Sequence, residues 1–147
     1  MGFAADLNKL CERAGDKAAL VVRRAALELQ SQMIERTPVD TGRAKGSWQA
    51  GVGVVNTADG AADKTGAAAL GRSQTVLESW KPGQTIYLTL SLPYAKVMEY
   101  GQYGNPPGSA NGPKTVGGYS RQAPAGMVRL AVQSYGEAVS KAVASLK

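Results

Sequence analysis

Histidine is missing from these 147 residues, and cysteine occurs once. Without histidine the commonest general base and the commonest metal ligand are gone, which excludes most zinc and Ser-His schemes. The lone Cys11 falls on the apolar face of a predicted helix, where it reads as a small buried hydrophobe rather than a reactive thiol; the chain needs no disulfide or metal to fold and suits a reducing compartment. No run of 18 apolar residues exists, and the first residues lack the basic segment, apolar core and cleavage site of a signal peptide, so the expectation is a soluble protein kept in a cytoplasm. Acidic residues are the minority, 11 against 17 basic, for a net charge of +6. The basic residues stand singly except for Arg23-Arg24, with no cluster interleaved with aromatics, so solvated surface charge is favoured over a nucleic-acid site.

What is present is organised around Thr85 to Gly101. Ile86, Leu88, Leu90 and Leu92 alternate with Thr85, Tyr87, Thr89 and Ser91, the period of two of a half-buried strand, expected at the centre of its sheet. Pro93 stops the ladder, having no N–H to donate, and Tyr94 to Tyr100 suits about two helical turns closed by Gly101. Tyr94, Val97 and Met98 share one face of that helix.

Upstream, Leu7, Cys11, Ala14, Ala18, Val22, Ala25, Leu29 and Met33 recur at intervals of three and four, with Leu10, Val21 and Ile34 widening the stripe. This is a helical period from Phe3 to Arg36, which Gly15-Asp16 either divides or kinks. Thr37-Pro38 ends it. Thr37-Pro38-Val39-Asp40-Thr41-Gly42 is a turn in which the Asp40 carboxylate can accept from nearby backbone N–H groups. Trp48, Ala50, Val52 and Val54 then alternate as a strand, the expected antiparallel neighbour of the one at Thr85. Asn56 to Gly71 reads as a mobile loop leading to a short helix over Ser73 to Glu78, Lys81 to Gln84 as a tight turn, and Gln102 to Gly118 as an exposed arm. Pro124 is placed in the first turn of a last helix whose apolar face is Val128, Val132, Tyr135, Val139, Ala142 and Leu146. The sum is an α+β domain over 1–147: a long N-terminal and a C-terminal helix on a small, mainly antiparallel sheet, with flexible loops at about 56–71 and 102–118.

Chemical motifs fail one by one. Gly51-Val52-Gly53 has Asn56 where a dinucleotide loop needs its third glycine, and Pro113 interrupts the phosphate-loop spacing of Gly108 to Thr115. Asp40 and Glu99 show no sign of facing each other across a substrate cleft. Glu99 is expected to pair with a base such as Arg121 or Arg129 instead. Of the tyrosines, Tyr94 suits a core edge and Tyr100 a subunit contact.

Taken in order, TPVDTGRAKGSW, KPGQTIYLTLSLPYAKVMEYG and SRQAPAGMVRLAV resemble the HK97 gp10-like family of tailed-phage tail components, members of which are similar to tail-completion and head–tail joining proteins. Pro93-Tyr94-Ala95 with Glu99-Tyr100-Gly101, and Gln122 to Arg129, carry most of the likeness. In the family the chain passes from the EYG phrase to the QAP phrase in a few residues; here Gln102 to Gly118 is inserted. The resemblance implies a structural virion protein without enzymatic turnover or cofactor, made in the host cytoplasm. It implies a ring, hexameric by expectation, at the head-proximal end of the tail, with genomic DNA passing through the lumen without sequence specificity. The implied partners are other copies of the chain, the tail tube or tail terminator protein, and a head-completion or stopper connector protein, with no membrane. Tail terminator, another minor tail protein and a basic nucleic-acid-binding module are the alternatives. Candidate assembly residues are Asp40, Arg43, Tyr94, Glu99, Tyr100, Tyr103, Arg121, Met127 and Arg129; no catalytic, cofactor or metal residue is expected.

Overall fold

The apolar repeat from Phe3 onward forms one unbroken helix, α1 (Phe3–Arg36), in a computed structural model that describes residues 2–146. Gly15 neither ends nor divides it. Thr37 leaves the helical region at ψ 126° ahead of Pro38, and its hydroxyl donates to Met33 O at 2.7 Å while accepting from Trp48 Nε1 at 2.8 Å. That pair of bonds fixes the end of α1 against the first strand and satisfies the indole N–H inside the core.

Only the C-terminal half of α1 is covered. Ala19, Ala25, Ala26, Gln30, Met33 and Ile34 are buried, whereas Leu7, Cys11, Ala14 and Ala18 of the expected stripe are exposed. Cys11 is therefore not a core residue, because among the described residues no other element covers that part of the helix.

After the short α2 (Arg43–Gly46), β1 (Gln49–Val52) pairs antiparallel with β2 (Ile86–Thr89), Ala50 opposite Leu88. The pairing is the expected one, but the sheet has two strands, so β2 is an edge and not a centre. β2 also ends well before Pro93, since the four residues of β1 offer no further backbone to bond. The apolar row of β2 and of the extended chain after it still faces inward: Leu88 and Leu90 pack on Met33, Ile34, Trp48, Ala69 and Ala131. Trp48 is among the most buried side chains, and truncating such a residue costs about 3–5 kcal/mol.

α3 (Ala67–Glu78) starts well ahead of the predicted Ser73, within what reads as loop. Asp63 supplies the missing start signal, accepting from Thr65 N at 2.9 Å and Ala68 N at 3.0 Å. α3 lies across α1 and β1, where buried Gln30 donates from Nε2 to Gln49 O and to Ser73 Oγ.

α4 (Ala95–Tyr100) ends at Gly101 in the left-handed conformation, φ 63° and ψ 46°, as expected of a glycine cap. A Cβ there would also meet the Tyr119 ring at 2.4 Å. The stretch 102–118 is no featureless arm. Tyr103 N donates to Gly118 O at 2.9 Å and Gly118 N to Ala110 O at 3.0 Å, and β3 (Thr115–Val116) pairs with β4 (Tyr119–Ser120).

The C-terminal helix is two segments, α5 (Val128–Gln133) and α6 (Tyr135–Ala144), broken at Ser134. Pro124 lies in the preceding turn, not in the first helical turn. The buried face keeps one helical phase across the break but is carried by alanines: Ala131, Ala138 and Ala142 are buried, while Val132 and Tyr135 of the expected stripe face out. α6 runs back along α1, with Ser134 Oγ at 2.8 Å from Gln32 Oε1, Lys141 Nζ at 3.0 Å from Glu28 Oε1 and Arg24 NH1 at 3.1 Å from Ser145 O. No helix among the described residues is long and apolar enough to cross a membrane.

Candidate functional site

Three segments distant in sequence meet at one end of the body. The first is the turn at 38–42, whose side-chain bond comes from Thr41, not Asp40: Thr41 Oγ1 accepts from Arg43 N at 3.2 Å. The second is α4, and the third runs from Pro113 to Gln122. Gln122 joins turn and return strand as an extra strand would, accepting from Val39 N and donating to Val39 O, both at 2.8 Å. Between them opens a cleft of about 710 Å³. Tyr94, Met98 and Tyr103 give it an apolar lining; Asp40 and Arg43 stand on one wall, Lys114 and Arg121 on the other. Burial pushes the Tyr103 hydroxyl above its ordinary value, with Tyr94 adding to the effect, so it is a neutral donor at any working pH. Arg43 is held in a half-exposed ion pair with Asp59 at 3.1 Å, which contributes little to stability.

Behind this cleft the Glu99 carboxylate closes the structure. Its Oε2 accepts from Met127 N at 2.7 Å and Val128 N at 2.8 Å, and its Oε1 from Arg129 N and Arg129 Nε, both at 3.0 Å. The otherwise unsatisfied donors of the first turn of α5 are thus met by an anion from α4. Arg129 completes the clamp by donating from NH2 to Glu99 O at 2.6 Å, and its guanidinium lies 4.9 Å from the centre of the Tyr100 ring. Burial alone would raise the Glu99 pKa; the three backbone N–H bonds and the Arg129 side chain outweigh it and hold the group below the ordinary range. Gly126, at φ +90°, makes room: a Cβ would stand 2.6 Å from Glu99 O.

Comparison with protein families gives a profile described as "Bacteriophage HK97-gp10, putative tail-component", matching residues 2–101. The chain belongs to the HK97 gp10-like family of phage tail components. No curated protein and no solved structure matches it. The matched part of this gp10-like chain runs from the start of α1 to Gly101, the residue that ends α4, and stops where the excursion at 102–118 begins.

In the gp10-like chain, Asp40, Arg43, Tyr94, Tyr103 and Arg121 all line the cleft. Tyr100 is 51% exposed beside it, and Arg129 is the base that pairs with Glu99; Arg121 donates instead to Gly112 O at 2.8 Å. Met127 is 1% exposed and faces the interior, so it backs the surface instead of forming it. Of the basic residues behind the nucleic-acid alternative, Arg23, Arg24, Arg43 and Lys45, three are engaged within the chain: Arg23 Nε donates to Trp80 O at 3.0 Å, Arg24 bonds Ser145, and Arg43 pairs with Asp59. Sequence reasoning missed Gln122, Thr41, Tyr119 and Gly126. Of these, Gln122 and Gly126 carried a signal in their place within the phrase from Gln122 to Arg129, and Thr41 in the turn at 37–42; Tyr119 carried none.

Proposed function

We propose that this tail component completes the tail: copies form a ring, hexameric by expectation, at the head-proximal end, joining head to tail with the genome passing through the lumen. The cleft carries this reading. A ring of identical subunits needs two different patches on each copy, and a concave, tyrosine-lined surface edged with charge suits one of them. Asp40, Arg43, Tyr94, Tyr100, Tyr103 and Arg121 are then the contact residues, while Glu99, Met127 and Arg129 hold them in place. The chain acts as a single domain without turnover, and the segments at about 56–66 and 102–118 adapt to the neighbours they meet. Those neighbours are the tail tube or terminator on one face and a head-completion or stopper connector on the other.

The test is the mass of the purified protein alone and after mixing with isolated tail tubes. A ring seen only on tubes is expected, with slowed amide exchange over 102–118, and Arg43→Glu with Arg121→Glu should lower incorporation. Protein that stays unbound beside tubes and is missing from finished tails would end this reading.

A further inference from the structure

The first part of α1 is an amphipathic helix whose apolar side no other described element covers. Phe3 is 82% exposed, Leu7 46% and Leu10 63%, and the covering helix runs out where Ser145 meets Arg24. We propose that residues 3–14 of α1 pair with the same segment of a second copy as a short antiparallel coiled coil, giving a two-fold dimer of the free protein.

Phe3, Leu7, Leu10 and Ala14 follow the alternating four-three spacing of coiled-coil core positions. Set antiparallel with Leu7 opposite the partner's Leu10, the layers become Phe3 on the partner's Ala14, Leu7 on the partner's Leu10, and the two-fold equivalents. The largest core residue meets the smallest and the leucines meet each other. The same register places Asp6 beside the partner's Arg13, and Arg13 beside the partner's Asp6, on one flank. On the other flank Ala4 meets the partner's Cys11, both small. Asn8, Lys9 and Glu12 remain on the outer face.

Competing registers lose these matches. One heptad further in, Leu7 faces the partner's Lys17 and the two Arg13 side chains oppose each other; one heptad further out, only Phe3 and Leu7 overlap. The available length agrees as well. The overlap spans about 18 Å, at 1.5 Å per residue, and stops one turn before Ala19, where burial against the body begins. So short a seam covers well under the roughly 800 Å² per partner of a stable complex, so the dimer is weak and reversible. Pairing in solution is independent of the ring proposed above and is measured without tails.

Sedimentation equilibrium of the full chain into the millimolar range should show a monomer–dimer equilibrium. Asp6→Arg should weaken it about tenfold, two attractive pairs becoming repulsive, and Asp6→Arg with Arg13→Asp should restore it. Under oxidation the Ala4→Cys variant should cross-link to the partner's Cys11, while the parent forms little Cys11–Cys11 disulfide. A chain monomeric throughout, a double exchange that fails to restore pairing, or a parent that readily links through its two Cys11 residues would each overturn the proposal.

Discussion

Replacing Glu99 by Gln keeps the size of the side chain and removes its charge, so it isolates the carboxylate clamp. In the parent, four donors converge on two oxygens at 2.7–3.0 Å, and the side chain is only 9% exposed. An amide retains one oxygen and turns the other into a donor that confronts either the Met127 and Val128 N–H groups or the Arg129 pair. Two charge-assisted bonds are lost and two N–H groups lose their acceptor, a penalty of about 2–4 kcal/mol. For a chain of this length that lowers Tm by roughly 5–15 °C. Acid supplies an independent check. The folded pKa lies below the ordinary 4.5, so the stabilisation is full above that value and is lost as pH falls through the lower folded value. Urea unfolding across acid pH should therefore show the parent losing more stability than Glu99→Gln below about pH 4.5. Equal midpoints at neutral pH, together with parallel acid profiles, would refute the clamp.

Other perturbations give separate checks. Gly126→Ala forces an L side chain into a left-handed backbone and against Glu99 O, and should cost about 1–3 kcal/mol by urea unfolding, whereas a neutral effect would mean the turn is loose. Gln122→Ala removes both bonds to Val39; about 1–2 kcal/mol is expected, with faster amide exchange at Val39 and Arg43 than elsewhere. Asp63, whose pKa is pulled down to about 2 by the Ala68 N–H first and then by Thr65, holds the start of α3. Asp63→Asn should speed amide exchange at Ala68 at neutral pH. The difference from the parent should shrink as acid takes the parent from the ordinary 3.8 down through about 2.

The features legible in the sequence were those written in local chemistry. The alternation that begins at Ile86 and the glycine end at Gly101 each depend on a few adjacent residues and have their counterparts in β2 and α4, whereas the strand stops at Thr89, short of the expected stop at Pro93. With Arg121 and Arg129 both open, of which the structure selects Arg129, the pairing of Glu99 with a base was within reach. Its real partners were not, since three of the four donors are backbone N–H groups that every residue carries. Periodicity also says where a helix is apolar but not what covers it, which is why Leu7, Leu10 and Cys11 read as core and lie exposed. In the last helix the covered face is built from Ala131, Ala138 and Ala142, while the larger Val132 and Tyr135 lie exposed; side-chain size drew the expected stripe toward them. The excursion after Gly101 looked unstructured from its Gly, Pro and Asn content, yet it is held by backbone bonds such as Tyr103 N to Gly118 O, which composition cannot register.

Because the chain departs from Glu99 and returns to it at Met127, everything between is a lobe whose base is tied by one carboxylate. A closed loop becomes only slightly harder to form as it lengthens, about 0.6 kcal/mol for each doubling. Its outline can therefore lengthen or shorten at little cost while the knot beneath it stays as it is.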